Sequence, residues 1–138
     1  MKVSITDLRE HVERLVEENQ IAIVGWVKRP TRAYSCTEGS EIWIAPIRSR
    51  VSYATAMHEI GHILGKHQSS KDVMVRERHA WRWAKKHARV WTDAMERNVE
   101  KSLAWYAARR ARLNAKWRPP VYEIMSLGWD DPLPNRHG

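Results

Sequence analysis

The spacing of apolar residues in the first third of the chain predicts one helix and three short strands. Apolar side chains recur at helical intervals from Leu8 to Val16, after Thr6 and Asp7, either of which can cap a helix. Short runs rich in β-branched and aromatic residues predict strands at 21–27, 32–36 and 41–45. Proline and glycine residues separate these runs. A helix followed by a small antiparallel or mixed sheet is therefore expected.

The remaining apolar pattern has the helical period and divides into three segments. Ser49 or Ser52 can cap the first segment, which ends at Gly65. Asp72 can cap the second, which continues to about residue 88. A third helix is expected from residues 92–93 to about 116, because two consecutive prolines follow and prevent it from continuing.

Length and composition favour one small domain. The 138 residues, of which 43% are hydrophobic and 29% charged, suit a single core rather than two domains or a disordered chain. We predict an α+β fold over residues 1–118, in which the small sheet packs on the helix of residues 49–65. An irregular tail is expected at 119–138, where glycine and proline recur.

Neither a targeting segment nor a membrane span is predicted. The sequence turns polar at Ser4 before an apolar signal region could form, and the apolar run at 21–24 is far too short to cross a bilayer. Cys36 is the single cysteine, so no internal disulfide can form. We therefore expect a cytoplasmic protein with no membrane partner.

The formal net charge of +8 is concentrated in one part of the chain. The segment from Arg82 to Arg118 carries eleven Lys and Arg residues and three acids, an excess that equals that of the whole chain. The predicted helix over 93–117 could therefore bind the phosphates of a nucleic acid. The alternative is that these long side chains only solvate one face of a helix.

The segment 58–62 carries the pattern H-E-x-x-H within a predicted helix. Residues four apart lie on one helical face, so the imidazoles of His58 and His62 can reach one zinc ion. Glu59 lies beside them and can accept a proton from a water molecule that the metal activates. The motif predicts a zinc site with His58 and His62 as ligands and Glu59 as the catalytic base.

A catalytic zinc needs a third protein ligand and an open position, and two candidates compete. The longer pattern H-E-x-x-H-x-x-G-x-x-H is matched as far as Gly65 but requires His where the chain has Gln68. His67 is one residue out of register, and Met125 would supply the methionine turn of that class. The other candidate is Glu77 on the next predicted helix, which has small residues that allow close packing. On either reading we expect Gln68→Ala to leave metal binding intact.

The segment 77–84, Glu-Arg-His-Ala-Trp-Arg-Trp-Ala, resembles the E-x-x-A-N-x-F-A signature of the ImmA/IrrE-like metallopeptidases. Trp81 and Trp83 replace the usual Asn and Phe. Upstream, the run 42–46 is similar to the edge strand that precedes the active-site helix in that family. The resemblance covers about residues 20–90 and is closest to short members carried by phages and prophages. It implies that Glu77 is the third zinc ligand.

The resemblance also implies a function, a zinc-dependent metalloendopeptidase of the zincin type. Its expected substrate is a particular protein, such as a DNA-bound repressor, cleaved at a limited site while the strand at 41–45 binds the substrate backbone. The alternative is a basic nucleic-acid-binding or interaction module with a structural or vestigial metal site. Glu59 separates the two, because a structural zinc site is closed by a fourth protein ligand and has no use for a free carboxylate.

Overall fold

The computed structural model describes residues 2–116 and has an α+β fold, as the sequence predicts. Its helices are α1 (Ile5–Glu18), α2 (Arg50–Leu64), α3 (Val73–His87) and α4 (Asp93–Lys116). Its strands are β1 (Ala22–Trp26), β2 (Tyr34–Cys36) and β3 (Glu41–Ile44), with a 3-10 turn at Pro30–Arg32 before β2. The predicted irregular tail at 119–138 lies outside the described residues.

Helix α1 begins earlier than the sequence predicts. Ser4, not Thr6 or Asp7, is the N-cap residue, and its hydroxyl accepts a hydrogen bond from the Asp7 backbone N–H at 3.0 Å. The Asp7 carboxylate accepts from the Ser4 backbone N–H at 2.9 Å, which completes a capping box. Two of the N–H groups at the start of the helix therefore have partners. Asp7 contributes to the cap from the third position of the helix.

The sheet is mixed, and β3 is its central strand. The strand order is β1-β3-β2, with β1 parallel and β2 antiparallel to β3. The expectation that the strand at 41–45 is an exposed edge, available to a substrate backbone, is therefore wrong. Both long edges of β3 already bond to neighbouring strands, so another extended chain cannot add to it. The edge strands among the described residues are β1 and β2.

Helix α2 is the centre of the structure, and residues 52–62 are all buried. It packs against α1, α3 and α4, and also against β2, β3 and the 30–32 turn. A helix that is surrounded on every side has no polar face, so its few polar side chains need partners within the protein. Ser49 caps it, with hydrogen bonds exchanged between Ser49 and Ser52 at 3.0 and 3.1 Å.

Helices α2 and α3 approach closely at Gly61. A Cβ atom at this position would lie 3.0 Å from the carbonyl carbon of Ala80 and 3.1 Å from its Cα, and nearer still to its carbonyl oxygen. Real side chains do not tolerate such contacts with backbone. Only glycine therefore permits this helix separation, and α3 can bring its own side chains up to the buried face of α2.

Helix α4 packs its apolar side chains on the other helices, with Met95 fully buried and Tyr106 only 5% exposed. The Glu96 carboxylate joins it to α3 by accepting from Lys85 at 3.0 Å, and to the segment between the two helices by accepting from the Trp91 indole N–H at 2.7 Å. Part of the basic excess of this region is therefore engaged within the protein. Over the described residues, no helix has the length and apolar character that a bilayer crossing requires.

Candidate metal centre

The two imidazoles of the H-E-x-x-H motif lie on one face of α2 and point toward α3. His58 is 4% exposed and His62 is 6% exposed, and their ring centroids are 4.5 Å apart. This proximity follows from the four-residue spacing on a regular helix. Glu59, one residue further along, is 1% exposed, with its Oε2 atom 3.3 Å from Nδ1 of His58.

Glu77 on α3 faces both rings. Its Oε1 lies 3.1 Å from Nε2 of His58, and its Oε2 lies 2.6 Å from Nε2 of His62. The carboxylate is completely buried. The close contact at Gly61 accounts for this placement, since α3 can lie near enough to α2 for a glutamate to span the gap.

The three side chains have the composition and separation of a zinc site. One ligand atom from each of His58, His62 and Glu77 lies within 4.8 Å of the others. Adjacent ligand atoms around a tetrahedral zinc with bonds of about 2.0–2.1 Å are themselves about 3.3 Å apart. Two imidazoles and a carboxylate, with the Glu77 oxygens 3.1 and 2.6 Å from the two Nε2 atoms, are therefore close enough together to share one such ion. In the described part of the chain, no fourth His, Cys, Asp or Glu joins the group.

The pKa of His58 reflects the same arrangement. Burial alone would lower the pKa of this imidazole, because the charged form loses its hydration. The nearby carboxylates of Glu77 and then Glu59 outweigh burial, so the pKa lies above the ordinary value of 6.5. The two carboxylates therefore favour positive charge at this position, which is the electrostatic setting that a bound cation requires.

Trp81 holds the plane of the His58 ring. The indole stacks on the imidazole with centroids 4.0 Å apart and an interplanar angle of 9°. Its N–H donates to the Ser102 hydroxyl on α4 at 3.3 Å, so the stacking partner is itself fixed. Trp81 therefore forms a rigid wall beside the first imidazole.

Gln68 lies beside the site, which the sequence did not indicate. Its Oε1 accepts a hydrogen bond from Nδ1 of His62 at 2.9 Å, while its Nε2 donates to the carbonyls of Lys66 and Arg76 at 3.1 and 2.9 Å. Both ends of the amide are thus bonded, and its orientation is fixed. The bond directs Nε2 of His62 toward Glu77. The expectation that Gln68→Ala is harmless to metal binding is revised accordingly.

His67, the competing third ligand, lies outside the group of three. Its backbone φ is +57°, and its ring packs against His79 with centroids 4.5 Å apart. The loop that takes His67 away from the site brings Gln68 toward it, so the one-residue difference in register decides which side chain reaches His62. Met125, invoked with the longer pattern, lies outside the described residues.

A cleft of about 500 Å³ opens onto the site. His58, Glu59 and Trp81 form its inner wall, and Tyr106 lines it from α4. The 29–33 segment forms the opposite rim. A molecule in this cleft would therefore contact the Glu59 carboxylate and the His58 imidazole directly, whereas His62 and Glu77 do not line it.

No family model matches the sequence, and no curated protein or solved structure matches it either. The functional argument therefore depends on the geometry of the chain itself.

Proposed function

We propose that the protein is a zinc-dependent metallopeptidase, with His58, His62 and Glu77 as the ligands and Glu59 as the general base. The observation that carries the proposal is the convergence of three buried ligand atoms within 4.8 Å of one another, beside a buried carboxylate at the end of an open cleft. Three protein ligands leave a position for water or substrate, which is the arrangement of catalytic zinc sites. We further propose that the fold is zincin-like.

The chemistry follows from the roles of the side chains. A zinc ion held here would polarise a carbonyl group and lower the pKa of a water molecule toward neutrality. Glu59 would accept the proton of the attacking water and pass it to the leaving amine. Trp81 keeps the His58 ring in plane and Gln68 fixes the His62 ring, so neither ligand has to reorient as the reaction proceeds.

The ImmA/IrrE-like resemblance supports a substrate of a particular kind. We propose limited cleavage of one protein, such as a DNA-bound repressor, within the cytoplasm of a host that carries a phage or other mobile element. The sequence support is the 77–84 segment together with the H-E-x-x-H motif, and Cys36 as single cysteine is compatible with a reducing compartment.

The second candidate is nucleic-acid binding by the basic residues of α4. Some of these residues have other partners: Arg110 pairs with Asp72 at 3.2 Å, and the Arg109 guanidinium lies 5.7 Å from the centroid of the Trp105 ring. Arg97 and Lys101 remain exposed. If α4 binds duplex DNA, affinity should fall steeply as salt rises, whereas a flat salt response would exclude it.

The metal site is tested by metal analysis of purified variants. We expect about one zinc per chain in the unaltered protein and little in His58→Ala, His62→Ala or Glu77→Gln. The matched control is His87→Ala, which removes an exposed imidazole from the end of α3. Full zinc content in the Glu77 variant would overturn the assignment of the third ligand.

The catalytic assignment is tested with Glu59→Gln, which preserves side-chain size. This variant should retain zinc and lose proteolysis of a mixed peptide library, because amide nitrogen cannot act as a base. Glu17→Gln on the exposed surface of α1 removes the same charge and should cleave normally. Cleavage at the unaltered rate by Glu59→Gln would remove that residue from the mechanism.

A further inference from the structure

The rim of the cleft has a charge that the catalytic residues do not require. Among the described residues, three cations line it: Arg29 just before the 3-10 turn, Arg32 at the end of that turn and Lys101 on α4, and all three are exposed. Among the described residues that line the cleft, the sole carboxylate is that of Glu59. A peptide entering the cleft therefore meets cations from two elements of the fold.

The fold brings these cations to the cleft from two separate elements. Arg29 precedes Pro30, which begins the 3-10 turn, and this turn packs against α2. Lys101 projects from α4, one helical turn before Trp105, which is 44% exposed and also lines the cleft. Cations on two separate elements can bind carboxylates on either side of the scissile bond, and Trp105 offers an apolar surface between them.

We propose, on the premise of the peptidase function above, that the cleft selects peptide segments with acidic side chains next to the scissile bond, bound by Arg29 and Lys101. Charge complementarity is the physical reason. Carboxylates beside these cations gain Coulomb energy that uncharged or basic residues do not, and the wrong charge is repelled.

A peptide is favoured over a nucleic acid as the occupant. Nucleic-acid binding that depends on charge commonly engages about 6–10 phosphates along an extended surface. Among the described residues, three cations line the cleft, and they border a volume of about 500 Å³ that leads to Glu59. A short segment of extended polypeptide suits this volume, whereas a duplex does not.

Selectivity is measured with three pools of internally quenched peptides of equal length. The pools share a randomised centre and differ in fixed flanking residues, which are Asp and Glu, their amides Asn and Gln, or Lys and Arg. We expect kcat/KM of the zinc-loaded protein to be about tenfold higher for the acidic pool than for the amide pool, as for a few partly desolvated charge pairs. Equal rates on the two pools would overturn the proposal.

The residues are tested with the double variant Arg29→Gln and Lys101→Gln. It should lose the acidic preference mainly through a higher KM, because the pairing stabilises bound substrate and transition state alike. The control, Arg14→Gln with Lys86→Gln, removes one Arg and one Lys from exposed helical positions outside the cleft and should keep the preference. Reversing both charges with Arg29→Glu and Lys101→Glu should shift the preference to the basic pool, a gain that misfolding cannot produce.

A binding measurement separates this inference from the peptidase function. Zinc-loaded Glu59→Gln should bind a labelled acidic pool more tightly than the amide pool, by fluorescence anisotropy. Acidic-selective binding without cleavage of any pool by the unaltered protein would sink the peptidase function and preserve the inference. Cleavage of the acidic and amide pools at equal rates would preserve the peptidase function and overturn the inference. A 20-base-pair duplex that outcompetes the acidic pool, and depends on the same two cations, would assign the cleft to nucleic acid and overturn the proposal.

Discussion

Substituting Gly61 by Ala tests whether the closeness of α2 and α3 creates the metal site. In an ordinary helix this change would stabilise the protein by about 0.8–1.0 kcal/mol, because alanine has the higher helix propensity. Here the new Cβ would lie 3.0 Å from the Ala80 carbonyl carbon and 3.1 Å from its Cα, within the backbone of α3. Ordinary contacts begin at 3.4 Å, and the Ala80 carbonyl oxygen would be nearer to the new Cβ than either of these atoms, so the helices must separate by at least several tenths of an ångström.

Two consequences of the separation can be given magnitudes. Overpacking of this kind costs about 1–3 kcal/mol, which leaves a net destabilisation of about 0–2 kcal/mol after the propensity gain. Metal ligands tolerate displacements of about 0.2 Å, and Glu77 moves with α3 whereas His58 and His62 move with α2. We therefore expect zinc affinity to fall at least about tenfold, or about 1.4 kcal/mol.

Urea denaturation with and without zinc, together with competition against a chelating indicator, measures both quantities. Gly39→Ala is the matched control, since a Cβ there meets only the flexible carboxylate of Glu41 in an exposed turn. It should leave zinc affinity unchanged. A Gly61→Ala protein that binds zinc as tightly as the unaltered protein, with the extra stability of an ordinary helical alanine, would refute the argument from helix proximity.

Four further predictions follow from single contacts. Gln68→Ala should weaken zinc binding about 10- to 100-fold by freeing the His62 ring, and an unchanged affinity in chelator competition would remove Gln68 from the site. In the metal-free chain, stability from the raised pKa of His58 is present below pH 6.5 and is lost as pH rises through that raised pKa. Zinc needs the deprotonated ring, so the zinc-induced rise in Tm should grow as pH increases from below 6.5 through that raised pKa, and a constant rise would contradict this. Ser49→Ala should lower the free energy of unfolding by about 1 kcal/mol in urea titrations, through loss of the α2 cap. Tyr53→Phe should lower the free energy of unfolding by about 1–3 kcal/mol in the same assay, because the backbone N–H of Arg89, which donates to the Tyr53 hydroxyl, loses its acceptor. An unchanged free energy of unfolding would count against that bond.

The sequence by itself determined the helices, the approximate strands and the H-E-x-x-H face. These features depend on local spacing: apolar side chains with a helical period mark the buried side of a helix, and residues four apart share a face whatever surrounds them. The sequence also predicted the α3 cap at Asp72, and Ser49 was one of the two residues offered for the α2 cap, since capping needs only the side chain and the first turn of its own helix.

Only the tertiary structure decided what lies around that face. The central position of β3, the distance of Glu77 from the imidazoles and the stack of Trp81 on His58 all join residues far apart in sequence. Gln68, and not His67, lies beside His62 because of the conformation of the loop after α2. The spacing of apolar residues does not predict that conformation. Spacing along a chain fixes the direction of side chains within one element, whereas distances between elements depend on how their surfaces pack, and here Gly61 permits the close approach of α2 and α3.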